Sequence, residues 1–174
     1  MRIRGDELPT DPDPRFLRLP DLPADADGTA LTVYADELCD EPCDREVVHL
    51  VYLDDRGRQV APAGRIHNAP LLPRPAELDE FVDMLRHQGL RVRARQVAFV
   101  WQSVDDGPAD RLGVEAWSAG LRSRLGAGPL RLRALWWRTP DGYVLLTGGS
   151  ERVTPPVPRT SPRSPHGPGC GSAG

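Results

Sequence analysis

Lysine is absent from the 174-residue chain, so every one of its 22 basic side chains is an arginine. Each fixed positive charge is therefore a planar fork suited to carboxylates and phosphates rather than a flexible ammonium. Codon bias in an Ala/Pro/Gly-rich chain produces the same pattern. Long apolar runs are also missing. None approaches the ~20 residues that a membrane-spanning helix needs, which argues against a membrane protein. The opening "MRIRGDELPTDPDPRF" has no hydrophobic stretch behind its basic residues and does not read as a secretory signal, so a cytoplasmic location is expected. With only three cysteines there is no disulfide framework, and a reducing compartment fits them. No Gly-rich phosphate loop follows any apolar run, and no serine or cysteine nucleophile pattern accompanies His67.

Proline and acidic residues are plentiful, and unevenly placed. Residues 1–28 are rich in Pro and Asp and read as an N-terminal arm. The ending "VTPPVPRTSPRSPHGPGCGSAG" has almost nothing to bury, so residues 152–174 read as a disordered tail. A single domain is expected over residues 29–151. Formal net charge is −3, but the first 46 residues are acidic and Arg91–Arg138 is arginine-rich. Such asymmetry points to an acidic partner or to self-association.

Within the domain, "TALTVYA" reads as a strand and "EVVHLVYLDDRGRQVAP" as a hairpin about the turn Asp54-Asp55-Arg56-Gly57. "RPAELDEFVDMLRHQG" is the clearest helix. Leu78, Phe81, Val82 and Leu85 fall at i, i+3, i+4 and i+7, Pro75 suits the first turn, and Gly89 suits the stop. Arg91, Arg93 and Arg95 then alternate into an apolar strand, Val97–Trp101. A second helix starts near Pro108, with Val114, Trp117, Leu121 and Leu125 as its buried stripe. "PLRLRALWWRTPDGYVLL" gives two strands around a Pro-Asp-Gly turn. The predicted fold is α/β: a single mixed β-sheet with two covering helices, in the order strand, hairpin, helix, strand, helix, hairpin.

This order resembles the JAB/MPN domain, especially its RadC-like branch. "VVHLVYLDDRGRQVA" is similar to that branch's first hairpin, "PLLPRPAELDEFVDML" to its Pro-Arg segment and first helix, and "LRLRALWWRTPDGYVLL" to its closing strands. An uncharacterised actinobacterial α/β family has nearly the same order. Active JAB/MPN members hold zinc through a His-x-His pair followed by Ser and Asp, leaving an open position for a metal-acidified water. By position those ligands fall on Trp101, Ser103, Arg111 and Val114, and none matches. Glu46 stands near the general base of active members. What the resemblance implies is thus a degenerate relative without its metal.

Other residues offer chemistry of their own. Asp105, Asp106 and Asp110 could hold a hard cation and serve a metal-assisted hydrolase, although acids at a helix start also satisfy orphan N–H groups. Cys39, Cys43 and His49 could be three ligands of a zinc-stabilised domain, with His67 as the fourth. If the strands bearing Arg91, Arg93 and Arg95 and those bearing Arg131 and Arg133 are neighbours, five arginines form a patch, with Trp101 and Trp136 nearby and one of Trp136 and Trp137 left exposed. Net acidity disfavours nucleic acid as the partner. These readings favour a non-catalytic binding or protein-interaction module over an enzyme, with no cofactor or metal and a protein's acidic segment as the partner.

Overall fold

A computed structural model describes residues 19–39, 46–104, 107–126, 128–146 and the backbone of 152–154. Its elements in chain order are α1 (Gly28–Leu38), β1 (Val47–Leu53), β2 (Gly64–His67), α2 (Pro75–Arg91), β3 (Gln96–Gln102), α3 (Pro108–Leu125), β4 (Arg131–Thr139), β5 (Gly142–Leu145) and β6 (Arg152–Thr154). The strands form one mixed sheet in the order β2-β1-β3-β4-β5-β6. Only β3 and β4 are parallel among consecutive neighbours; β1 runs antiparallel to both β2 and β3, and the β4-β5-β6 pairs are antiparallel. The parallel pair follows from the α3 crossover, which a tight turn cannot replace. Among the described residues no helix is long and apolar enough to cross a membrane.

The α/β class and the mixed sheet agree with the sequence reading, and several elements differ. "TALTVYA" is a helix. Its β-branched Thr29, Thr32 and Val33 favour a strand locally, but Leu31, Tyr34, Ala35 and Leu38 recur at helical spacing and are all buried. Asp27 caps the helix by accepting from the Ala30 N–H at 2.9 Å. The domain therefore has three covering helices. The second arm of the first hairpin is Gly64–His67, while Gln59, in the segment expected to form it, makes only an isolated bridge to Leu53. The arm upstream of residue 28 is partly folded, since Leu19 and Leu22 are buried. The sheet also runs past the predicted boundary at 151, as Arg152–Thr154 pairs with β5. The rest of the predicted tail lies outside the described residues.

Covering helices lie on both faces. Val97, Phe99 and Trp101 of β3, with Leu135 and Trp137 of β4, pack under α2 and α3. Ala98 and Val100, with Ala134 and Trp136, face α1 and the Leu19–Leu22 segment. Both Trp136 and Trp137 are buried, against the expectation that one stays exposed, because α1 covers the second face. Tyr34 stacks on Trp136 at 6.4 Å between centroids. Tyr143 anchors the same helix by donating its hydroxyl to Asp36 at 3.1 Å. Burial above all pushes this phenol well up from its ordinary range, so it remains a donor.

Helix α2 passes Gly89 and continues to Arg91. Gly89 is a packing residue, since a Cβ there would lie 3.2 Å from Leu130. The helix ends in a Schellman motif: Ala94 N–H donates to Gly89 O at 2.8 Å and Arg93 N–H to Leu90 O at 3.2 Å. Arg93 occupies the left-handed position that glycine usually takes, with φ of 58°. Arg93→Gly is therefore expected to stabilise the domain by about 1 kcal/mol, the size of the left-handed penalty for a residue with a Cβ. A denaturant midpoint at or below wild type would contradict that assignment.

Candidate functional site

At the N-terminal ends of the parallel pair, the backbone brings arginines together. The Arg95 N–H donates to Leu53 O at 2.8 Å and the Arg131 N–H donates to Arg95 O at 2.9 Å. These bonds place the turn after β1 and the starts of β3 and β4 side by side. Between them opens a cleft of about 550 Å³ lined by Ala24, Asp55, Arg95, Gln96, Gly128, Pro129, Arg131, Leu132 and Arg133. Arg95 and Arg131 are exposed, and neither forms an ion pair with a described residue.

Arg133 is held differently. The β3–β4 register shifts between Val97, opposite Leu132, and Ala98, opposite Ala134. Arg133 falls in the irregularity and, half-buried, reaches the incoming chain. Its Nη2 donates to Pro23 O at 2.7 Å and to Ala24 O at 3.3 Å. Its Nε is buried with no hydrogen-bond partner among the described residues. Backbone carbonyls do not neutralise its charge, and among the described residues it has no carboxylate partner.

The opposite wall is the β1 turn. Asp54 Oδ1 accepts from the N–H groups of Arg56 and Arg58 at 2.8 and 2.9 Å, and Arg58 Nε donates to Oδ2 at 2.8 Å. Burial pushes the Asp54 carboxyl up, but these donors outweigh it and hold it below the usual carboxylate range. Gln96 Nε2 donates to Asp54 O at 3.1 Å, which fastens the turn to β3 and sets Asp55 at the rim. Gly57 closes the turn with φ of 79°. Its carbonyl accepts from the Leu22 N–H at 2.9 Å, and with Gln59 Oε1 accepting from Leu19 N–H at 2.9 Å it ties the Leu19–Ala24 strap across the sheet end.

Of the five arginines expected to form a patch, the cleft gathers Arg95, Arg131 and Arg133. Arg91 and Arg93 are not strand residues. They belong to the last turn of α2 and its cap, because the helix runs on where alternation suggested a strand. Trp101 and Trp136 are core residues, 3% and 0% exposed, and take no part in the cleft. Trp101 stands five residues along β3 from Gln96, roughly 16 Å at ~3.3 Å per residue. Alternation alone missed Asp55 and Gln96. The signal for Asp55 was present in the Asp-Asp turn, whereas Gln96 depends on which strand the turn folds against.

The other candidates are placed as follows. Cys39 is fully buried at the end of α1, and its carbonyl accepts from Arg138 Nη1 at 3.0 Å. His49 is buried on β1, opposite Val100 of β3. Cys43, Asp105 and Asp106 lie outside the described residues, and Asp110 sits in the first turn of α3. Ser103 Oγ accepts from Trp137 Nε1 at 2.9 Å, Arg111 pairs with Glu115 at 2.9 Å, and Val114 is fully buried. Among the described residues no group of three or more His, Cys, Asp or Glu is placed to hold a metal ion. No protein-family model matches the chain, and no curated protein matches it.

Proposed function

We propose that the chain is a cytoplasmic, non-catalytic binding module that docks an acidic segment of a protein partner in the arginine cleft. One observation carries this reading: Arg95 and Arg131 both line a cleft of about 550 Å³, neither has a carboxylate partner among the described residues, and Arg133 lines it as well. Arginine forks lining a concavity favour an anionic visitor and steer its approach. The acidic net charge of −3 disfavours a nucleic-acid backbone, which rewards a broad basic face rather than one local cleft.

The test is binding of a labelled Asp-rich peptide, read by fluorescence anisotropy. Arg95→Ser with Arg131→Ser is expected to weaken binding about tenfold or more, since removing charged partners costs at least one to two kcal/mol. The pair Arg91→Ser with Arg93→Ser, outside the cleft, should leave it within about twofold. Wild-type binding should also weaken as salt rises, because exposed charges are screened beyond roughly 8–10 Å. Equal loss in both double variants would overturn the assignment to the cleft.

A further inference from the structure

We propose, resting on the docking reading of the same cleft, that the group it is built for is a phosphomonoester dianion, borne on the partner as a phosphorylated side chain. Charge sets the class. Three lining arginines less the single lining aspartate, Asp55, leave two net positive charges. A carboxylate brings one negative charge and is satisfied by a single fork. A phosphomonoester brings −1.5 to −2 at neutral pH, with three strong acceptor oxygens.

Geometry agrees. The 2.9 Å bond from the Arg131 N–H to Arg95 O ties the start of β4 to the residue just before β3, where Gln96 is the register partner of Arg131. Both residues line the cleft, while Arg133 enters from the irregularity in β4, anchored to Pro23 O and Ala24 O. A phosphate offers three strong acceptor oxygens and can engage more than one fork at a time, which a single carboxylate does less readily. The cleft's volume of about 550 Å³ leaves space for the bearing side chain and its neighbours as well as the phosphate.

The experiment compares two short Asp/Gly peptides that differ at one central position, phosphoserine in one and aspartate in the other, against the full chain. The phosphopeptide is expected to bind about tenfold tighter or better, and to lose that advantage in the Arg95→Ser/Arg131→Ser variant, whose circular dichroism should match wild type. Its affinity should also fall as pH drops from 7.5 to 5.5, because the phosphate's second pKa is about 6 and the monoanion carries one charge less. The groups facing it are Arg95, Arg131, Arg133 and Asp55, and the aspartate peptide controls for any change in these. Phenyl phosphate is the third probe. If it competes as strongly as the phosphopeptide, the phosphomonoester site is supported and its bearer is a small ester instead of a protein. Equal, pH-independent binding of both peptides overturns the phosphate assignment and leaves the acidic-segment reading standing. If no peptide or ester binds, both fail.

Discussion

Phe99→Asp is expected to abolish the folded domain. Phe99 is 1% exposed at the middle of β3, which is hydrogen-bonded to β1 on one side and β4 on the other. Its ring meets Phe81 of α2 at 6.1 Å, and Phe81 in turn meets Trp117 of α3 edge-on at 5.3 Å. An aspartate there places a carboxylate among aromatic rings with no counter-charge. Either the charge is buried or the group is protonated at the expense of folding, a cost of several kcal/mol on top of the lost ring contacts. A domain of this size has a margin of roughly 5–15 kcal/mol. The expected result is loss of the cooperative melt and of near-ultraviolet dichroism. Retention of a wild-type melting temperature would mean that residue 99 is not buried in either face of the sheet.

Gly57→Val is expected to cost several kcal/mol by a route that leaves the central core alone. With φ of 79°, Gly57 is in the left-handed region, where a β-branched residue is strained by about 1–2 kcal/mol. Space is the larger obstacle, for a Cβ at this position would sit 1.8 Å from the carbonyl oxygen of Leu22. Backbone cannot yield as a side-chain tip can. The strap must move, which exposes Leu19 and Leu22, worth about 1.5–3 kcal/mol each when fully buried. Arg133 then loses the carbonyls of Pro23 and Ala24, and the cleft loses a wall. Limited proteolysis should cut near residues 19–24 in the variant under conditions where wild type resists. Resistance equal to wild type would show that the strap is not held by this turn.

The helices under the main core were legible because their periodicity is uninterrupted. Leu78, Phe81, Val82 and Leu85, and likewise Val114, Trp117, Leu121 and Leu125, are buried in the spacing read from the chain. Helix α1 was not, because its β-branched residues point locally to a strand and only the presence of an uncovered sheet face decides the matter. Its cap, Asp27, and the continuation to Leu38 are the signals that favour helix. The three residues Arg91, Arg93 and Arg95 show the same limit in reverse. Their alternation is real, but a helix end with a non-glycine left-handed residue at Arg93 leaves no trace in composition. Arg95 and Arg131 were individually suspect from the sequence, and their meeting was conditional on β3 pairing with β4 in parallel, a contact formed across the whole of α3.

The position of α1 has a consequence for the order in which the chain acquires its structure. Every tether described for this helix and its strap toward the β4–β5 region spans about a hundred residues: Arg138 to Cys39 is 99 apart, Asp36 to Tyr143 is 107, and Pro23 to Arg133 is 110. The helix is made first, yet the surface that buries Tyr34 is completed only when Trp136 arrives. At about 5–20 residues per second, roughly 5–20 s of translation separate the two. During that interval Leu31, Tyr34 and Leu38 present an apolar stripe without its native cover. Helix α1 is thus a late-docking element, and exposure to chaperones and to mispairing is concentrated on its apolar stripe while β4 and β5 are still to be made.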